Sequence, residues 1–92
     1  MSYSLEFSKT ALKDLEKHRK SGDKATLRKI RALLNELMEH PTTGTGQPEL
    51  LKHNLAGLYS RRINRKHRLV YAIKEEIVAV YILSAHSHYG EK

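Results

Sequence analysis

The hydrophobic pattern of this chain changes period once, and that change limits the fold more than any other feature. Up to Pro41 the apolar residues recur at helical spacing, and after Gly57 they alternate. Leu27, Ile30, Leu34 and Leu37 fall at steps of three and four, with Leu33 and Met38 widening the stripe of an amphipathic helix. Asp23 is placed to cap its start, and Pro41 stops it near His40. An earlier helix, capped by Ser8, carries Ala11, Leu12 and Leu15 on one face and ends near Ser21 and Gly22. Ahead of it, Tyr3, Leu5 and Phe7 alternate with polar neighbours as a short half-buried strand. Thr42 to Pro48 has the Gly and Pro content of a loop. Its Gly44-x-Gly46 precedes no helical pattern and reads as a turn, not a phosphate cradle. Beyond Gly57, Leu58–Asn64, Arg68–Lys74 and Ile77–Ala85 read as three strands with short connections, an antiparallel meander. The expected order is β-α-α-β-β-β over residues 1–92 as a single domain. This is an α+β fold with two helices packed on one face of a mainly antiparallel twisted sheet.

The register of the central hairpin follows from parity. Tyr59 and Ile63 share one face of their strand and Ser60 and Arg62 the other; Leu69, Tyr71 and Ile73 oppose Arg68, Val70 and Ala72 in the next. A two-residue turn would pair Arg62 with Leu69 and mix the sets. A three-residue loop, Asn64-Arg65-Lys66, pairs Arg62 with Arg68 and keeps the apolar residues together. Arg61 then points toward the helices, near an edge where its guanidinium would reach water. Arg62 and Arg68 stand side by side on the uncovered face. Like charges directly opposite one another destabilise a sheet, so the pair suggests use on an anion.

Composition narrows the chemistry. With no Trp and a single Phe, the core must come from Leu, Ile, Val and Tyr, and a domain of 92 residues has little stability to spare. The absence of Cys removes disulfides, thiolate zinc sites and Cys nucleophiles together. The apolar run Ile77–Leu83 is too short to span a bilayer and no signal-peptide pattern is present, so a soluble cytoplasmic protein is expected. Net charge is +7, and no acidic residue lies between Glu49 and Glu75, a stretch holding Lys52, Arg61, Arg62, Arg65, Lys66, Arg68 and Lys74. A one-signed stretch of this kind attracts polyanions such as nucleic acid. Charge alone does not separate that from a solvated basic face.

The segment from Gly44 to Tyr71, with Pro48-Glu49, Leu51-Lys52-His53-Asn54-Leu55, Gly57, Ser60-Arg61-Arg62-Ile63 and His67-Arg68-Leu69-Val70-Tyr71, closely resembles the YoeB/Txe branch of the RelE superfamily of bacterial toxins. His88-Tyr89 near the C-terminus fits as well. Tyr59 stands where many members have Trp, and Gly90-Glu91-Lys92 follow where many relatives end. The resemblance is strong over the C-terminal half; before it, only the helix–helix layout agrees. It implies a RelE-like fold and cleavage of mRNA in the A site of the 70S ribosome. There the ribose 2′-OH attacks phosphorus to leave a 2′,3′-cyclic phosphate and a 5′-OH.

Such chemistry needs a base, positive charge on the phosphate and an acid. The resemblance assigns Glu49 as general base and Arg68 to the scissile phosphate. Arg62 assists or grips the neighbouring backbone, His88 is general acid, and Tyr89 orients the acid or stacks on a base. Arg can bind two phosphate oxygens at once, and imidazole titrates in the right range for an acid. Lys52 and Arg65 are read as phosphate-steering residues. Taken without the motif, Glu49 is an ordinary loop carboxylate and His88 an exposed terminal histidine. No metal and no other cofactor is expected, since His86-x-His88 lacks a third ligand at useful spacing. His53 and His67 need no proton-transfer role, and one of them may serve as a core hydrogen-bonding group. The implied partner is a YefM/Phd-like antitoxin with an acidic segment that orders on contact, and operator DNA would be reached only through it. The alternatives are a ParE-like toxin directed at gyrase, and a non-catalytic nucleic-acid-binding module.

Overall fold

A computed structural model describes residues 2–46, 48–52 and 56–86. Five strands form one sheet: β1 (Ser4–Phe7), β2 (Glu49–Leu50), β3 (Tyr59–Arg62), β4 (Arg68–Lys74) and β5 (Ala79–Ser84), in the order β1-β5-β4-β3-β2. The β1–β5 pair is parallel and the other three are antiparallel. Helices α1 (Lys9–Ser21) and α2 (Lys24–Glu39) pack with the sheet, giving the expected α+β architecture. The parallel pair follows from the helical excursion between β1 and the meander, because only a long crossover returns a strand in the same direction. No helix among the described residues is long and apolar enough to cross a membrane.

Both helix starts are as expected. Ser8 accepts from the Ala11 N–H at 2.9 Å and Asp23 from the Thr26 N–H at 3.0 Å, each satisfying a donor the helix leaves unpaired. The stripe of α2 is centred on Thr26, Ile30, Leu33 and Leu37, which are buried; Leu27, Leu34 and Met38 are half-buried flanks. The buried face of α1 differs from expectation. Leu12 is 55% exposed, whereas Ala11, Asp14 and His18 are buried. Two polar residues occupy core positions because both find partners on β5's continuation, a point developed below.

The hairpin register agrees with the parity argument: Arg62 pairs with Arg68, Arg61 with Leu69, Ser60 with Val70 and Tyr59 with Tyr71. The Ile63 N–H bonds to the His67 carbonyl at 3.0 Å, leaving Asn64-Arg65-Lys66 as the loop. Asn64 Oδ1 accepts from the backbone N–H groups of Lys66 and His67, the local turn chemistry that makes Asn common here. Two strands are shorter than expected. β3 stops at Arg62, and β5 begins at Ala79 because Glu75–Ile77 form a 3-10 turn that closes through Val78 in the left-handed region (φ 49°). β2 is an addition: a two-residue edge strand is too short to show alternation.

Arg61 corrects the sequence reading. It points to the helix side, as parity requires, but it is fully buried and does not reach water. Its five N–H groups have five acceptors. Nε donates to the Tyr71 hydroxyl at 3.2 Å, Nη1 to Glu36 at 2.9 Å and to the Thr45 carbonyl at 3.3 Å, and Nη2 to the carbonyls of Thr43 at 2.6 Å and His40. The loop after α2 is wrapped around this guanidinium, and Glu36 also accepts from the Thr45 N–H at 2.8 Å. That bond, with Arg61 beside it, holds the Glu36 carboxyl below its ordinary range against the opposing effect of burial. Gly44 (φ 117°) and Gly46 (φ 86°) are required here. A Cβ would stand 2.4 Å from Glu36 Oε1 at the first and 2.8 Å from the Arg62 carbonyl at the second. The Gly44-x-Gly46 turn thus lets the chain hug Arg61 and then deliver Glu49 to the sheet edge.

Candidate active site on the open sheet face

Cross-strand partners point to the same side of a sheet, so a row of paired residues lines one face. Glu49 pairs with Ser60, Ser60 with Val70 and Val70 with Ser84, so these four residues form one row across β2, β3, β4 and β5. Arg62 and Arg68 form the next row of the same face. From β4 the Arg68 side chain reaches across β3 to β2. Its Nε donates to Ser60 Oγ at 2.9 Å, and Nη2 donates to Glu49 Oε1 at 3.3 Å. The Arg68 side chain is 16% exposed and the Glu49 side chain 64%, so the guanidinium is sheltered and the carboxylate faces solvent. Ser60, itself buried, fixes the guanidinium halfway. The parity reading put Ser60 on this face and assigned it no role; the missing information was that Glu49 sits opposite it on an edge strand.

Two candidate residues are therefore brought together, Glu49 and Arg68, with Arg62 adjacent and exposed. Lys52 is exposed just past β2, where Leu51 still bonds to β3 through the Leu58 carbonyl at 2.8 Å. Arg65 is not part of this group. At the β3–β4 loop it lines a cavity of about 570 Å³ together with Lys17, His18, Lys66, His67 and His86. His88 and Tyr89, the expected acid and its companion, lie outside the described residues, as does His53.

His67 belongs to a cluster of imidazoles and stands apart from the Glu49–Arg68 pair. Ring centroids lie 4.7 Å apart for His18–His67, 5.2 Å for His18–His86 and 4.3 Å for His67–His86. Burial lowers the pKa of His86, and the nearby His18 and Lys17 lower it further, so its neutral form is favoured. Among the described residues no group of three His, Asp or Glu side chains is arranged to hold a metal ion.

A cluster of this kind, with a carboxylate and a sheltered guanidinium on an exposed basic face, can bind a phosphodiester and place a base beside it. Residues 7–89 match the family described as YoeB-like toxin of bacterial type II toxin–antitoxin system. Toxin YoeB of Escherichia coli strain K12 is 43% identical over 67 residues, 73% of this chain and 77% of that protein. The fold is similar to that of the YoeB/ParE toxin from Agrobacterium tumefaciens, with a TM-score of 0.87, 30% identity, and coverage of 94% of this chain and 99% of that one. It is also similar to a chain of the YoeB–YefM complex from Staphylococcus aureus, with a TM-score of 0.79, 38% identity, and coverage of 97% and 100%.

Proposed function

The chain belongs to the YoeB-like toxins of bacterial type II toxin–antitoxin systems, and we propose that within that family it is an endoribonuclease cutting mRNA on the translating ribosome. The observation that carries this reading is the Glu49–Arg68 pair, a solvent-facing carboxylate bonded to a sheltered guanidinium beside Arg62 on the open face. Glu49 takes the proton from a ribose 2′-OH as that oxygen bonds to the adjacent phosphorus. Arg68 neutralises the nonbridging oxygens while Arg62 holds a neighbouring phosphate. The bond from phosphorus to the 5′-oxygen breaks, and His88 supplies the proton that the leaving oxygen takes up. The products are a 2′,3′-cyclic phosphate and a 5′-OH, and the chemistry as written requires no metal ion or other cofactor. Tyr89 orients His88 or stacks on a base.

The resting contact suits this sequence of events. An ion pair with one exposed partner contributes about 1 kcal/mol or less, so an arriving phosphodiester displaces Glu49 from Arg68 at small cost. The carboxylate is then left beside the nucleophile it must deprotonate.

The cytoplasm is the compartment this activity requires. The Staphylococcus aureus relative was solved with YefM, and a YefM/Phd-like antitoxin is the partner we assign to this chain. With a net charge of +7, the toxin is a natural target for an acidic segment that covers the basic face and silences the site.

The test is mRNA cleavage on programmed ribosomes with Glu49→Gln and His88→Gln. Each change is expected to lower the rate by about 10²–10⁴, the usual contribution of a positioned acid or base. If both variants cut at the unaltered rate, the acid–base assignment is wrong. A module that only grips phosphates would respond instead to changes at Arg62, Arg65 and Lys66, with a steep salt dependence.

A further inference from the structure

Helix α1 buries two polar side chains one turn apart, and both are spent on a single residue of the C-terminal segment. Asp14 Oδ2 accepts from the Ala85 N–H at 2.9 Å, and His18 Nε2 donates to the Ala85 carbonyl at 2.7 Å. Because a carbonyl only accepts, this bond places a proton on His18 Nε2. Asp14 is 5% exposed, His18 4% and Ala85 0%. The start of the same helix adds a third tie, Ser8 Oγ donating to the Leu83 carbonyl at 2.7 Å. β5 ends at Ser84, so the next residue is held by the helix and not by a strand partner. Core positions on a helix are ordinarily apolar, and a buried polar group left unmatched costs about 1–3 kcal/mol. A pair of apolar side chains would pack here without that risk. What Asp14 and His18 add is direction: both backbone groups of Ala85 are fixed at once. The His18 ring is itself wedged against His67 and His86, which limits its own rotation.

We infer that Asp14 and His18 are positioning residues that set the point and direction at which the chain leaves the sheet, and thereby aim His88 and Tyr89 at the Glu49–Arg68 site. The inference rests on the nuclease reading given above. Its geometry comes from the row Glu49–Ser60–Val70–Ser84. Three strand spacings of about 4.8 Å put Ser84 roughly 14 Å from Glu49 along that row. His88 lies three residues beyond Ala85, a reach of about 10 Å when extended. The reach brings an imidazole to a phosphate held by Arg68 only if the tether begins at a fixed place and points across the sheet. A loose Ala85 would leave the acid sampling a wide volume, and misplacement of about 1 Å at a reacting centre can cost 10²-fold in rate.

The experiment measures kcat, KM and the pH–rate profile for cleavage of mRNA on programmed ribosomes. Asp14→Ser and His18→Asn shorten the arms; Asp14→Asn and His18→Gln keep an acceptor and a donor at comparable reach. Folding of each variant is checked by circular dichroism. Shortening is expected to lower kcat by roughly ten- to a hundredfold, to leave KM nearly unchanged, and to flatten the limb of the pH profile that reports the acid. The length-preserving variants should restore all three readouts. A loss of folded protein alone would lower kcat in proportion to the unfolded fraction and leave the shape of the profile intact. Insertion of one glycine between Ala85 and His86 leaves α1 and its bonds untouched but moves His88, and the same kcat loss is expected from it. Unaltered kcat in folded shortened variants, or in the insertion variant where the shortened ones do not fold, overturns the inference. Parallel assays of Glu49→Gln and His88→Gln separate the two levels: if those variants also cut normally, the nuclease reading has failed and not the clamp alone.

Discussion

Arg68→Ala, expressed under control in bacteria, is expected to permit growth and spare mRNA, whereas the unaltered protein arrests both. Removing a preorganised cation from developing negative charge costs about 10²–10³ in rate, or roughly 3–4 kcal/mol of barrier. On programmed ribosomes the loss should appear in kcat more than in KM, because the charge on the nonbridging oxygens is greatest when the reaction is under way. The change should leave the fold largely intact. Arg68 gives up one bond to an exposed carboxylate and one to the Ser60 hydroxyl, which together amount to about 1–2 kcal/mol of stability. Arg68→Lys should recover little, since one ammonium cannot span from Ser60 to Glu49 and also present a planar fork to phosphate. Arg62→Ala is the instructive contrast. Its exposed charge grips substrate backbone, so affinity and salt dependence should change before kcat does. Growth arrest by Arg68→Ala equal to that of the parent would remove the guanidinium from the mechanism.

The second large effect is expected at Arg61, and it concerns stability. Arg61→Ala deletes a fully buried guanidinium and strands its partners: Glu36, the Tyr71 hydroxyl and the carbonyls of His40, Thr43 and Thr45. Breaking a buried charged pair by removing one member costs about 3–5 kcal/mol, a large share of the roughly 5–15 kcal/mol that holds a domain together. For a chain of this length that corresponds to a fall in Tm of roughly 12–40 °C. Arg61→Lys should be nearly as harmful, because three donors cannot serve five acceptors spread around a planar group. Glu36→Gln should be milder, since an amide oxygen still accepts from Thr45 and Arg61. Thermal unfolding followed by circular dichroism distinguishes these cases, and a melting point within a few degrees of the parent for Arg61→Ala would refute the buried role. The loop that Arg61 organises ends at β2, so activity should also fall as Glu49 loses its placement.

These two arginines show what was readable in the amino-acid sequence and what was not. Strand parity and an odd-numbered loop were enough to set Arg62 against Arg68 and to turn Arg61 toward the helices, because a slip of one residue would have moved every apolar side chain to the wrong face. Parity says nothing about depth. The acceptors that make Arg61's burial tolerable are mostly backbone carbonyls of an irregular loop, and backbone groups leave no mark on composition. Glu49 was identified through the family resemblance, but its place opposite Ser60 depends on a two-residue edge strand with no period to detect. On α1 the reading followed hydrophobicity and chose Leu12, whereas the core took Ala11, Asp14 and His18. Polar residues at core positions become intelligible only when their partner on a distant segment, here Ala85, is known. The acid and its companion, His88 and Tyr89, fall outside the described residues, so their assignment still rests on the motif and on the reach from Ala85.

The most direct measurement replaces the ribose at the scissile nucleotide of a ribosome-bound mRNA with 2′-deoxyribose and follows cleavage by the unaltered protein. The account predicts that the modified message stays whole, while its ribose counterpart is cut to a 2′,3′-cyclic phosphate and a 5′-OH, because the missing hydroxyl is the nucleophile that Glu49 activates. Cleavage of the deoxy-substituted position at an undiminished rate would contradict it, since an external nucleophile would then be doing the work.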